Sequence, residues 1–273
     1  MAYPFTDQQI VRYSRQMVMP EVGGKGQERL LKGRVLCVGA GGLGSPAVQY
    51  LAAAGVGTLG IMDYDTVDLS NLQRQTIHAG NVGKGKARSA AEFVARLNPD
   101  VRTRVYEEPL SADNARSVFR DYDFIVDGSD NFSTRYLVND AALLEGKPFS
   151  HGAILRFEGQ VLTVVPGKGP CYRCVFAEAP PAGTVPTCQE AGVLGAIPGI
   201  VASIQAAEAM RHLLGKGDLL VGRLLRVDAL RMSFTELRVR RNSACPACGD
   251  APALTNLKAE NYRDTCSLGP SRR

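Results

Sequence analysis

Val35-Leu36-Cys37-Val38-Gly39-Ala40-Gly41-Gly42-Leu43-Gly44 is the stretch that decides the fold. Its first four residues are an unbroken apolar run, the pattern of a strand buried on both faces. G-x-G-x-x-G follows, and Ser45 to Ala54 then reads as a helix that stops near Gly55. Glycine lets the backbone turn tightly and approach a phosphate. Amides at the helix start then face that anion, and the helix dipole adds roughly half a positive charge. The next strand, Leu59 to Met62, ends on Asp63, about 20 residues on, where an acid takes ribose hydroxyls. The pattern implies a nucleotide without saying which. A glycine-rich corner that binds nothing, with Asp63 as a turn residue, is the other reading.

On the N-terminal side, Thr6-Asp7-Gln8-Gln9 fits a capping box. A helix from about Asp7 puts Arg12 and Arg15 on one face, and a second amphipathic helix runs to Gly33. On the C-terminal side, Lys86 to Leu97 is helical, Phe124-Ile125-Val126 is a buried strand, and Phe132 to Leu144 is a helix. This alternation predicts an α/β protein with a Rossmann-like, mostly parallel sheet covered on both faces. The pattern then changes. Leu155 to Val165 and Leu224 to Arg240 carry strand signals without helices between each close pair. Between these regions lie Ala179-Pro180-Pro181-Ala182-Gly183 and a helix from about Pro198 to Leu214. Antiparallel strands should therefore extend the sheet. No linker or repeat divides the chain, so one domain over 1–262 and a flexible tail over 263–273 are expected.

Composition narrows the class. Apolar residues make up 45% and charged residues 22% of the 273, an ordinary globular balance. The net charge of +5 is scattered, which argues against nucleic-acid binding. The uncharged run from Val35 to Met62 is long enough to cross a bilayer, but its glycines and Pro46 break it. The apolar run from Gly192 to Leu214 carries Gln205, Glu208 and Arg211, so neither is read as a membrane span. The seven cysteines are odd in number, and the chain opens on polar MAYPFTDQQ. A reducing, cytoplasmic setting is expected.

The default owner of the glycine fingerprint is an NAD-dependent oxidoreductase. The string from Asp63 to Gln75 argues otherwise, because it is too polar for a strand and brings Asn71, Arg74 and Gln75 near the glycine loop. Lys86 stands at a helix start, a poor place for a cation unless an anion pairs with it. A phosphate chain would serve, while ion pairs of Arg74 and Lys86 are the plainer account. Asp127-Gly128-Ser129-Asp130-Asn131 follows a buried strand, where open α/β sheets bind ligands. Asp130 can hold magnesium, or Ser129, Asp130 or Asn131 can simply cap the next helix.

Cys171-Tyr172-Arg173-Cys174 and Cys245-Pro246-Ala247-Cys248 are two C-x-x-C pairs. Four thiolates make a closed tetrahedral zinc site with no open position for catalysis. Separate redox motifs or packing thiols are the alternatives. Cys188 follows the Pro/Gly-rich loop and could attack an activated carboxyl, although Glu190 tends to raise its pKa. Cys37 reads as packing, and Cys266 is unassigned.

R-Y-x-R-Q near the start, G-x-G-G-L-G, D-x-D-T-V-x-x-S-N-L-x-R-Q, G-K-x-K-A and D-x-x-D-N together resemble the MoeB/ThiF/HesA family, relatives of the ubiquitin-activating enzymes. The resemblance spans about residues 5–250. It implies ATP-dependent adenylylation of the C-terminal glycine of a ubiquitin-like sulfur-carrier protein ending in Gly-Gly. Gly39, Gly41, Gly42 and Gly44 would approach ATP, and Asp63 would take the ribose. Ser70, Asn71, Arg74, Lys86 and Asn131 would line the nucleotide site, and Asp130 would hold Mg2+. Arg15 would reach into the partner's site of a homodimer. The family carries the same two cysteine pairs, which implies zinc on Cys171, Cys174, Cys245 and Cys248. Family relatives use a cysteine at the place of Cys188 for sulfur transfer or thioester formation, while other members make its necessity doubtful. The segments around the cysteines are most similar to the MoeB branch, implying the small subunit of molybdopterin synthase as carrier. A ThiF-like carrier of thiamine synthesis is the near alternative. A zinc-stapled binding protein without catalysis is the remaining one. The chain ends soon after Cys248, leaving a separate sulfurtransferase or cysteine desulfurase to supply sulfur. His78, His151 and His212 receive no role.

Overall fold

The computed structural model describes residues 5–181, 184 and 191–262. Cys188, Cys266 and the 263–273 tail lie outside them. Among the described residues eight strands form one sheet: β1 (Arg34–Val38), β2 (Thr58–Met62), β3 (Arg102–Tyr106), β4 (Phe124–Asp127), β5 (Phe149–Leu155), β6 (Glu158–Val164), β7 (Arg223–Asp228) and β8 (Ser233–Arg238). Their order is β3-β2-β1-β4-β5-β6-β7-β8. The first five strands pair in parallel, and β5 to β8 pair antiparallel. This is the mixed sheet expected from the alternation and its change of pattern.

The helices are α1 (Asp7–Met17), α2 (Gly23–Lys32), α3 (Gly44–Ala53), α4 (Lys86–Leu97), α5 (Ala115–Arg120), α6 (Phe132–Leu144), α7 (Tyr172–Val175) and α8 (Ala196–Leu214). Thr6 caps α1 with the reciprocal Gln9 bond of a capping box. Pro198 sits in the first turn of α8, where a missing amide costs no hydrogen bond. Side chains alternate across β1 and divide the core. Val35 and Cys37 pack with α3, α4 and α8 on one face. Leu36 and Val38 pack with α5 and α6 on the other. Cys37 is a packing residue, and burial pushes its thiol up to about 12.

Two strands escaped the sequence reading. β3 is an edge strand, Arg-Thr-Arg-Val-Tyr, whose alternation is masked by exposure of both kinds of side chain. β5 begins at Phe149, before the expected Leu155, and opens with Ser150 and His151, polar yet buried. Among the described residues the Ser150 hydroxyl and His151 Nε2 have no hydrogen-bond partner, and the groups of these residues that are paired find their partners in distant segments. Gln205 Nε2 donates to the Ser150 carbonyl at 2.9 Å. Among the described residues no helix is long and apolar enough to cross a membrane.

Candidate active site

Strand order reverses at β1, with β2 on one side and β4 on the other. Such a switch point opens a crevice at the carboxyl ends of the strands. The glycine loop leaves β1 there, beside the Asp127–Asn131 loop that leaves β4. Gly39 has φ +92°, and a Cβ on it would stand 3.0 Å from the Gly128 carbonyl oxygen. A Cβ on Gly44 would collide with the Gly39 carbonyl. These two glycines serve the loop's own packing. Gly41 and Gly42 differ, because a Cβ there would meet nothing closer than 3.5 Å and 3.6 Å. They keep the backbone bare where a ligand would approach. Ser45 Oγ and Gln75 Oε1 are buried beside this loop without a hydrogen-bond partner among the described residues, which suits a polar ligand such as a phosphate chain.

Ala40 is held from both sides. Asp63 Oδ2 accepts its amide at 2.7 Å, and His78 Nε2 lies 2.8 Å from its carbonyl oxygen. Asp63 Oδ1 also accepts the Asp65 amide at 2.9 Å. Burial raises the Asp63 carboxyl above its usual range despite these two bonds. Burial lowers His78, so the ring is neutral, with its other nitrogen 2.9 Å from Ser89 Oγ.

The polar string contains a short 3-10 turn, Leu69–Asn71, and a second, Thr76–His78, follows it; it does not form a strand. Asn71 folds its side chain back to accept the Asp68 amide at 3.2 Å, and Ser70 is exposed. Arg74 lies along Gly42, with its Cδ 3.6 Å from the place of a Cβ there. It donates to the Ser70 carbonyl at 3.2 Å and pairs with no carboxylate among the described residues. It also lines a groove of about 690 Å³ with Tyr50, Gly195, Ile200 and Phe234. Lys86 already has an anion. Its buried ammonium lies 2.9 Å from Asp65 Oδ2, a pairing across 21 residues that no local pattern announces.

Asn131 caps α6, accepting the Thr134 amide and the Ser133 hydroxyl, each at 2.8 Å. Asp130 is exposed and has no such duty. Arg15 is not brought to this crevice. Its neighbour Tyr13 reaches Asn98 Nδ2 at 2.9 Å, and Gln16 donates to the Ala54 carbonyl at 3.1 Å. The second contact anchors α1 at the C-terminal end of α3, and the first does so through Asn98, which caps α4 and donates to the Ala52 carbonyl at 2.7 Å; α3 is a helix of 10 residues whose other end carries the glycine loop. At 1.5 Å per residue, roughly 15 Å of helix lies between.

The four expected zinc ligands do meet. Cys171, Cys174, Cys245 and Cys248 hold their sulfurs within 4.8 Å of one another, with pairs at 3.9, 3.7 and 3.4 Å. Four sulfurs about 2.3 Å from one ion stand roughly 3.8 Å apart in a tetrahedron, so the cluster fits zinc. Arg173, between the first two cysteines, grips Asp140 of α6 at 2.9 and 2.8 Å. The Tyr172 amide donates to Asn139 of the same helix at 2.9 Å. The cysteine hairpin is thus locked onto the helix whose start carries Asp130 and Asn131.

Residues 13–247 match the ThiF family. The chain is 50% identical over 270 residues to the sulfur carrier protein adenylyltransferase of Thermus thermophilus, covering 97% of this chain and 99% of that one. It is 52% identical over 261 residues to the SAMP-activating enzyme E1 of Haloferax volcanii, covering 95% and 96% respectively. Among solved structures, E. coli MccB shares the fold, with a TM-score of 0.79 at 19% identity over 92% of this chain and 75% of that one. The chain belongs to the ThiF family and is an adenylyltransferase.

Proposed function

We propose that the chain activates a ubiquitin-like sulfur carrier by adenylylating its C-terminal glycine. The carrier's carboxylate oxygen forms a bond to the α-phosphorus of ATP, the bond from that phosphorus to the bridging oxygen breaks, and pyrophosphate leaves with the electron pair. The kinship at 50% identity over nearly the whole chain carries this reading. The small subunit of molybdopterin synthase is the carrier we favour, and the carrier of the thiamine pathway is the near alternative.

The residues suit the chemistry. A terminal carboxylate has a pKa of about 3.5 and is ionised at neutral pH, so no base is required. The difficulty is charge, since an anion must meet a polyanion. Cations, amides and positioning answer it. Gly41 and Gly42 leave room for the phosphates, Asp63 receives the ribose, and Arg74 offers a guanidinium without a carboxylate partner among the described residues. Lys86 trades Asp65 for phosphate or shares itself between them. Asn71, Ser70 and Asn131 line the site. Asp130 would hold Mg2+, which when bound neutralises phosphate charge. Cys171, Cys174, Cys245 and Cys248 would hold zinc as a structural staple. Arg15 stands too far from its own crevice to act there, and we assign it to the partner's site in a homodimer. Cys188 would receive the activated acyl group or assist sulfur transfer, with sulfur supplied by a separate sulfurtransferase or cysteine desulfurase in the cytoplasm.

ATP–pyrophosphate exchange with candidate carriers ending in Gly-Gly tests the reading. Exchange should appear with one of them and vanish in Asp130→Ala while the exposed position leaves the fold intact. Absence of exchange with every carrier, alongside cofactor reduction with some hydroxy substrate, would return the chain to the oxidoreductases.

A further inference from the structure

Asp127 and His151 form a buried pair that the adenylylation chemistry leaves unused. They face each other across β4 and β5, and both are fully buried. His151 Nδ1 lies 2.8 Å from Asp127 Oδ2. Asp127 Oδ1 accepts the Ser129 amide at 3.1 Å and the Ser129 hydroxyl at 2.6 Å. Burial pushes the Asp127 carboxyl up, but the bonds from His151 and Ser129 outweigh it and keep the group below its usual range. Burial lowers His151, so its ring is neutral and donates through Nδ1–H.

A buried carboxylate is costly, and an apolar pair at two core strand positions would serve packing at least as well. What the pair adds is a direction for the backbone. Asp127 bends the chain back through Ser129, and Gln205 Nε2 holds the Asp127 carbonyl at 2.8 Å. The Gly128 amide donates to the Val38 carbonyl at 2.9 Å, and its own carbonyl abuts Gly39. The turn is therefore clamped against the glycine loop, and the next residue is Asp130. On the far side the His151 ring meets Tyr172 edge-on at 4.8 Å, which stops the imidazole from swinging off Asp127.

We infer that His151 is a positioning residue: through Asp127 it holds the Ser129 turn that delivers Asp130 to the glycine loop. The inference rests on the reading of Asp130 given above. A direct hydrogen-bond partner of a metal-binding carboxylate commonly changes metal affinity by about 10–100-fold when removed, and His151, which reaches Asp130 only through Asp127 and the Ser129 turn, should fall at the lower end of that range.

The test needs no carrier and no turnover. ATP binding is measured by calorimetry across a Mg2+ titration in the full chain, His151→Leu and His151→Asn. Leucine removes the donor and keeps much of the volume, whereas asparagine keeps an N–H near the place of Nδ1–H. His151→Leu should raise the half-saturating Mg2+ concentration by about tenfold. His151→Asn should stay within about threefold of the unaltered protein. Equal behaviour of the two variants, or an unshifted His151→Leu, overturns the inference. Should His151→Leu fail to fold, nitrogen NMR on the unaltered protein decides. An exchange-protected proton on Nδ1 is expected, and a ring protonated only on Nε2 overturns the assignment. Mg2+-dependent ATP binding without exchange on any carrier would sink the proposed reaction alone. Exchange with an unshifted His151→Leu would sink the positioning role alone.

Discussion

His78 Nε2 lies 2.8 Å from the carbonyl oxygen of Ala40, inside the glycine loop. The ring is buried, and its other nitrogen is engaged by Ser89. A residue some 35 positions downstream of the fingerprint thus determines how rigidly that fingerprint is held. His78→Phe should leave the Ala40 carbonyl without its donor and the Ser89 hydroxyl with Asn81 Nδ2 alone, and cost about 1–3 kcal/mol. Urea denaturation should register that loss, and nucleotide titration should show weaker ATP binding with zinc content unchanged. Unaltered binding would mean that the loop does not depend on the histidine.

The glycines divide into two kinds. Gly44→Ala drives a methyl group into the Gly39 carbonyl and should destabilise the fold by about 1–3 kcal/mol or more. Gly41→Ala meets only Gln75 Nε2, at 3.5 Å. It should melt like the unaltered protein but bind ATP more weakly. Thermal denaturation and ATP titration on both variants separate the effects, and equal melting losses would contradict the division.

One zinc per chain is expected, measured by metal emission. Cys174→Ser or strong chelation should remove it and lower the melting temperature sharply, since structural zinc sites contribute folding energy outright. A metal-free protein of unchanged stability would rule out the staple.

Burial lowers His78, His151 and His212. A group depressed on folding binds fewer protons when folded than when unfolded. Stability is therefore full above the unfolded value of about 6.5 and falls as pH drops toward the folded values. Urea midpoints should decline between about pH 7.5 and 5.5. His151→Asn should flatten part of that slope. A midpoint that rises on acidification in this window would contradict the sign.

Arg15 acting across a dimer has a distinctive signature. Arg15→Ala and Asp130→Ala should each be inactive in exchange. Mixed and re-equilibrated, half of the dimers would be hybrids with one complete site of two, giving roughly a quarter of full activity. A mixture that stays inactive would place Arg15 elsewhere.

Local signals disclosed much of this. An apolar run ending in glycines announces a buried strand and a tight glycine turn, because both depend on residues adjacent in the chain. Capping at Thr6 and the helices at Lys86–Leu97 and Phe132–Leu144 were legible for the same reason. β3 was not, because an edge strand need not hide one face. β5 was not, because Ser150 and His151 are polar yet buried, and the groups that pair the Ser150 carbonyl and His151 Nδ1, on Gln205 and Asp127, are distant in sequence.

The sequence alone determined the mixed sheet, the glycine loop at the end of its first strand and the two cysteine pairs, since periodicity and short spacing encode those directly. Tertiary structure decided which groups are free to act. It paired Lys86 with Asp65, set Arg74 along Gly42, and gathered four sulfurs from segments 74 residues apart. It also carried Arg15 away from the crevice of its own chain and locked His78 and His151 behind the two loops. Hydrogen bonds and burial between distant segments depend on how the layers pack, and no local pattern records that.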